Sequence, residues 1–131
     1  MAIELQYVGW TLILALVQIF LPAIGKFRAY GMNWSTSSRD AVLPPPSLPT
    51  QRLERAHRNL METLPIFVAI VLVGAISGRL SPRTAMWVQI YFWARVVYVP
   101  AYALGIPYLR SAIWGVSFTA IVALLIRILF A

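Results

Sequence analysis

Residues 51–77 read QRLERAHRNLMETLPIFVAIVLVGAIS. About three helical turns of charged and polar side chains run without a break into an apolar stretch from Leu64 to Ile76. A helix with that profile starts in a wet environment and continues into hydrocarbon. Its neighbours follow the same rule. Upstream, Leu5 to Ile24 is apolar and is closed by Lys26 and Arg28. The segment before it carries Glu4 rather than a positive charge, and the run exceeds the apolar region of a secretory signal, so it reads as a span. Downstream lie two more apolar stretches, which gives spans at about 4–25, 51–77, 83–103 and 110–130. Residues 26–50 turn polar and irregular, and Pro44, Pro45, Pro46 and Pro49 predict a stiff extended connector. Gly78 to Arg83 predicts a tight hairpin, and Gly105-Ile106-Pro107 a short turn.

Composition agrees. Of 131 residues, 60% are hydrophobic and 11% charged, and the mean hydropathy is +0.76. Soluble domains average about 45–50% apolar and about 25% charged. The expected fold is therefore an all-α integral membrane protein, a single domain over residues 1–131 forming a four-transmembrane-helix bundle. With no cysteine and one histidine, His57, the chain lacks the donors for disulfides, thiolate nucleophiles or a conventional zinc site, so no metal is expected. The net charge of +7 is placed at span ends, where anionic lipid headgroups and the positive-inside rule account for it; nucleic-acid binding is not expected. The first loop and the start of the second span hold Lys26, Arg28, Arg39, Arg52, Arg55 and Arg58, against Arg79 and Arg83 in the second loop. The first loop is thus expected in the cytoplasm, with both termini outside.

Charges at membrane depth carry the functional information, since each costs about 2.5–3.5 kcal/mol at a helix centre. Arg52, Arg55, Asn59 and Glu62 are spaced three, four and three apart and form one helical stripe. Arg95, Tyr98 and Tyr102 form a second on the third span. With a rise of about 1.5 Å per residue, Glu62 lies roughly 16 Å and Arg95 roughly 12 Å from the same side, which predicts an Arg95–Glu62 pair. Such a set serves either as interhelical glue or as a binding site. The excess of arginine, with Arg110 added, over Glu54 and Glu62 favours a site for a small anion. His57 sits beside the stripe, displaced from it, and no nucleophile elbow accompanies any serine. Pro65 and Pro100 fall inside spans and free the carbonyls of Met61 and Val96.

The segment Glu54-Arg55-Ala56-His57-Arg58-Asn59-Leu60-Met61-Glu62, followed by Pro65, resembles the signature of the MAPEG family, the membrane-associated proteins in eicosanoid and glutathione metabolism. Arg95 to Tyr98, Tyr102 and Arg110-Ser111 resemble its second block. Tyr98 is closer to the transferase and leukotriene synthase pattern than to the prostaglandin synthase, which has histidine there. The long first loop resembles short bacterial members. The resemblance implies a homotrimer of four-helix bundles that binds glutathione as co-substrate between subunits, near the cytoplasmic side. It implies binding by Arg55, Asn59, Glu62, Arg95, Tyr98 and Tyr102, with Lys26 or Arg28 reaching in from an adjacent subunit and His57 nearby. Arg110 would stabilise the thiolate. The implied activity is a glutathione transferase or peroxidase acting on a lipophilic electrophile or lipid hydroperoxide in a bacterial inner membrane. A non-catalytic MAPEG-fold binding or scaffold protein in contact with membrane lipids is the alternative. The topology is open to test: a reporter placed after Phe130 is expected to be active only in the periplasm, and one in the 26–50 connector only in the cytoplasm. The reverse pattern would invert the orientation.

Overall fold

The computed structural model describes residues 1–130. Four helices follow one another: α1 (Ile3–Thr36), α2 (Leu48–Ser77), α3 (Pro82–Ala103) and α4 (Pro107–Leu129). Three of them, α1, α2 and α4, are long and apolar enough to cross a membrane. At 22 residues, α3 is also long enough at about 1.5 Å per residue, but Arg83, Gln89 and Arg95 make it more polar.

The helix ends sharpen the sequence boundaries and correct one of them. The first helix does not stop at Lys26 but continues to Thr36, broken only at Gly31, whose φ of 81° and ψ of 179° are non-helical. Basic residues mark where a helix leaves hydrocarbon, not where its backbone ends, and Lys26 to Tyr30 are compatible with helix in water. A positive φ is what glycine accommodates without a Cβ penalty, so the break falls there. The irregular connector therefore shrinks to residues 37–47, and Tyr30 Oη donates to the Pro44 carbonyl to hold it against α1. Prolines open three of the helices within their first turn, where the missing N–H costs nothing. This is why α2 and α4 begin three residues ahead of the expected positions.

The outer surface is largely apolar, as expected where lipid rather than water is the outer solvent, and the mainly apolar interior also encloses polar side chains such as Thr11, Gln18 and Arg95. On α1 the buried residues are Glu4, Val8, Thr11, Ala15, Gln18 and Pro22. Their alternating spacing of four and three makes a coiled-coil-like seam, and that seam packs on α2 and α3. Leu12, Leu16, Phe20 and Ile24, on other faces of α1, stay exposed. The main core joins Val8 to Phe67, Val71, Val88, Tyr91, Ala120 and Leu124. Within it the Phe67 and Tyr91 rings stack at 4.2 Å, and the Tyr91 hydroxyl lies 2.9 Å from Thr63 Oγ1. The backbones of α1 and α4 do not approach each other closely; each packs on the α2–α3 pair.

Side chains tie the helix ends together at both ends of the bundle. At one end Ser81 and Thr84 form a reciprocal capping box on α3, and Thr84 Oγ1 also donates to the buried Glu4 carboxylate at 2.6 Å. Arg79 Nη1 donates to the carbonyls of Ile128 and Leu129 at 2.8 and 3.0 Å, covering the end of α4. At the other end Arg52 Nη1 donates to the Ala103 carbonyl at 3.3 Å. Its guanidinium lies where a Cβ on Gly105 would fall, and Gly105 itself has a φ of 72°. Glu4 is only 4% exposed, so Thr84→Val, which strips its hydroxyl partner, is expected to cost about 1–3 kcal/mol. Thermal unfolding in detergent checks this; an unchanged melting temperature would show that Glu4 has another partner.

Candidate functional site

The sequence places the arginine-rich stripe on the first turns of α2, and α3 and α4 bring the remaining residues to it. Arg55, Arg58, Asn59, Glu62, Tyr98, Tyr102 and Arg110 line one cavity of about 370 Å³ at the end of the bundle where Arg52 meets Ala103. Its walls carry three guanidinium groups and one carboxylate, a formal surplus of two positive charges.

The geometry is organised around two tyrosines. Tyr98 and Tyr102, one turn apart on α3, meet edge to face at 5.6 Å. The Tyr102 ring has Arg110 at 4.9 Å and Arg55 at 5.8 Å from its centroid. The two cations contributed by α2 and α4 are thus held against one aromatic face pair, at separations where a cation–π attraction of about 0.5–1 kcal/mol operates even at exposed sites.

Beneath the cavity lies Arg95. It is 1% exposed, its Cζ is 4.4 Å from the Tyr98 ring centroid, and its Nη1 donates to Asn59 Oδ1 at 2.8 Å. Its Nε and Nη2, and the Tyr98 hydroxyl, are buried without partners. The expected Arg95–Glu62 ion pair does not form: Lys26–Glu54 is the one ion pair among the described residues. The depth estimate matched the levels of the two residues, but rotation about the helix axis decides contact. Asn59, one turn earlier on the same stripe, is the residue that meets Arg95. Glu62 stays exposed on the cavity wall.

The other expected residues separate. Arg52 is engaged with the end of α3. Within one chain neither Lys26 nor Arg28 lines the cavity: Lys26 pairs with Glu54 across α1 and α2, and both line a different cavity on α1. His57 lines a third, with Pro22, Glu54 and Arg58, and its Nδ1 is buried without a partner. Sequence reasoning passed over Arg58, which lines the first and third cavities. Its signal was available, because residues 55, 58 and 62 are as regularly spaced on a helix as 55, 59 and 62.

Four membrane helices with a cationic, tyrosine-lined cavity at one end define an integral membrane helical bundle. The chain belongs to the MAPEG family, which it matches over residues 7–130. The match covers nearly the whole chain and places it among membrane proteins with glutathione-related function at the level of the family. No curated protein matches the chain.

The Arg95–Asn59 bond can be tested apart from any ligand. Asn59→Leu leaves a buried guanidinium without an acceptor and is expected to destabilise by about 3–5 kcal/mol. Adding Arg95→Met removes the stranded charge and is expected to return much of that loss. Additive losses in a double-mutant cycle of thermal unfolding would show that the two side chains are uncoupled.

Proposed function

We propose that the chain is a membrane-bound glutathione transferase or peroxidase that acts on hydrophobic electrophiles or lipid hydroperoxides. The observation that carries this reading is the cavity with Arg55, Arg58 and Arg110 set against Glu62 alone. Glutathione has two carboxylates, one ammonium and one thiol, and this charge pattern complements such a wall. Arg55 and Arg58 take the carboxylates, where guanidinium forks give paired, charge-assisted hydrogen bonds. Glu62 takes the ammonium. Arg110, on the opposite wall beside Tyr102, faces the thiol.

A free thiol has a pKa of about 8.5 and is mostly protonated at neutral pH. A nearby guanidinium shielded from bulk water favours the thiolate, which is the nucleophile. For a transferase, the thiolate sulfur forms a bond to the electrophilic carbon as the leaving group departs with its electron pair. For a peroxidase, the thiolate attacks the terminal peroxide oxygen, and the alcohol leaves after taking up a proton. A second glutathione then displaces water from the sulfenic acid to form the disulfide. Apolar substrates reach the site from the lipid, to which most of the outer helix surface is exposed.

Assembly as a homotrimer, with a neighbouring copy closing the open side of each cavity, fits this reading, as does an orientation with the cavity toward the cytoplasm of a bacterial inner membrane. A second reading, a non-catalytic membrane binding or scaffold protein, is favoured by one observation. Asn59 is already committed to Arg95, as interhelical glue would be.

Calorimetric titration of glutathione into the detergent-purified protein separates the two. Arg55→Ala is expected to lose binding by tenfold or more, consistent with the about 1.5–3 kcal/mol of a charged hydrogen bond. Arg110→Ala is expected to keep binding but lose the near-ultraviolet absorbance of the bound thiolate. A folded wild type that does not bind glutathione would sink the enzyme and leave the scaffold.

A further inference from the structure

A second cationic cavity lies on α1 and the start of the 37–47 connector, outside the site described above. It measures about 400 Å³, and the non-helical turn at Gly31 lets the last turn of α1 fold back beside Ile24, Phe27 and Arg28. Trp34 is held on both sides: the Tyr30 ring lies 4.7 Å away, and the Arg39 guanidinium sits 5.1 Å from its centroid. Arg39 is itself fixed, with its Nη2 donating to the Ser35 carbonyl at 3.1 Å. The indole Nε1 of Trp34 is buried and has no acceptor, although a buried indole N–H ordinarily finds one.

Charge bookkeeping leaves this cavity short of an anion. Of its cations, Lys26 is neutralised by Glu54, whereas Arg28 and Arg39 have no carboxylate within ion-pair distance. Asp40, the nearest acid in sequence, does not line the cavity and accepts instead from Ser38 Oγ at 2.8 Å. The opposite wall is apolar. Ile24 and Phe27 are exposed, and with Phe20 they are spaced four and three apart, so they continue the outward face of α1 into the bilayer.

We propose that this cavity binds one acidic phospholipid, its phosphate held by Arg28, Arg39 and the Trp34 indole N–H and an acyl chain lying along Phe27, Ile24 and Phe20. A free phosphate would leave the apolar wall unused, and a zwitterionic lipid would bring its own cation to the two arginines. The level is suitable as well: the cavity begins where the apolar run of α1 ends, at the depth of lipid headgroups. Within one chain this cavity shares no lining residue with the α2–α3–α4 cavity, and Arg39 and Trp34, on which the test rests, belong to it alone.

Native mass spectrometry of the full-length protein in dodecyl maltoside tests this, with dioleoyl phosphatidylglycerol and dioleoyl phosphatidylcholine supplied in equal amounts. The wild type is expected to retain phosphatidylglycerol in preference. Arg39→Gln is expected to lower that preference about fivefold, the scale of one interfacial cation, and Trp34→Phe, which removes a donor to the phosphate both lipids carry, is expected to lower the retention of both. Arg39→Lys keeps the charge and is expected to preserve the preference, as is Arg83→Gln at the far end of the bundle. Equal retention of the two lipids by the wild type overturns the site, and so does an equal loss in Arg83→Gln and Arg39→Gln. Displacement of phosphatidylglycerol by inorganic phosphate would also overturn it, in favour of a free-anion site.

Discussion

One hydrogen bond between two buried side chains, Arg95 on α3 and Asn59 on α2, sets the terms for the rest of the molecule. A guanidinium cannot sit at membrane depth without an acceptor, and Asn59 supplies one at 2.8 Å. That contact fixes the rotation of α2 against α3. Once those two helices are in register, Thr63 meets Tyr91 one turn further along and Phe67 stacks on the same ring. Tyr98 and Tyr102 are turned toward Arg55, and Arg110 arrives from the start of α4. Packing and site share one origin, because the residue that positions the helices lies under the floor of the cavity.

The two ends of the bundle are satisfied to different degrees. Near the hairpin, Glu4, Thr84, Ser81 and Arg79 all have partners. Among the described residues, the buried side-chain atoms left without partners belong to Gln18, Trp34, His57, Arg95 and Tyr98. All five are in the half that ends in Lys26, Glu54 and Ala103. Unpaired buried polar groups are few in folded proteins and each calls for an explanation. Their concentration at one end matches a molecule whose hairpin end is built for stability and whose opposite end is open to ligands.

Much of this was legible in the sequence, for physical reasons that can be named. Hydropathy located the four helices because the lack of water in hydrocarbon leaves the backbone little choice but helix. The motif from Glu54 to Glu62 located one wall of the cavity because helical spacing puts its residues on one face. The rest depended on quantities a linear pattern does not carry. Whether Arg95 meets Glu62 or Asn59 is a matter of rotation about the helix axis, not depth. The extension of α1 to Thr36 was hidden because charged residues signal the bilayer boundary while helix propensity continues past it. The fold-back at Gly31 and the cradle around Trp34 are tertiary outcomes of that extension, and no periodicity announces them.

The separation of the α1 and α4 backbones has a mechanical consequence. The molecule behaves as a two-helix spine carrying two separate leaves, and a displacement of one leaf reaches the other only by moving the spine. The cavity on α1 and Arg110 on α4 therefore have no direct line of communication. Any signal between them passes through α2 or α3: on α2, Glu54 receives Lys26 on one flank and Arg55 looks toward Tyr102 on the other. A ligand seated on α1 would thus be felt at Arg110 only as a change in the set of the α2–α3 pair.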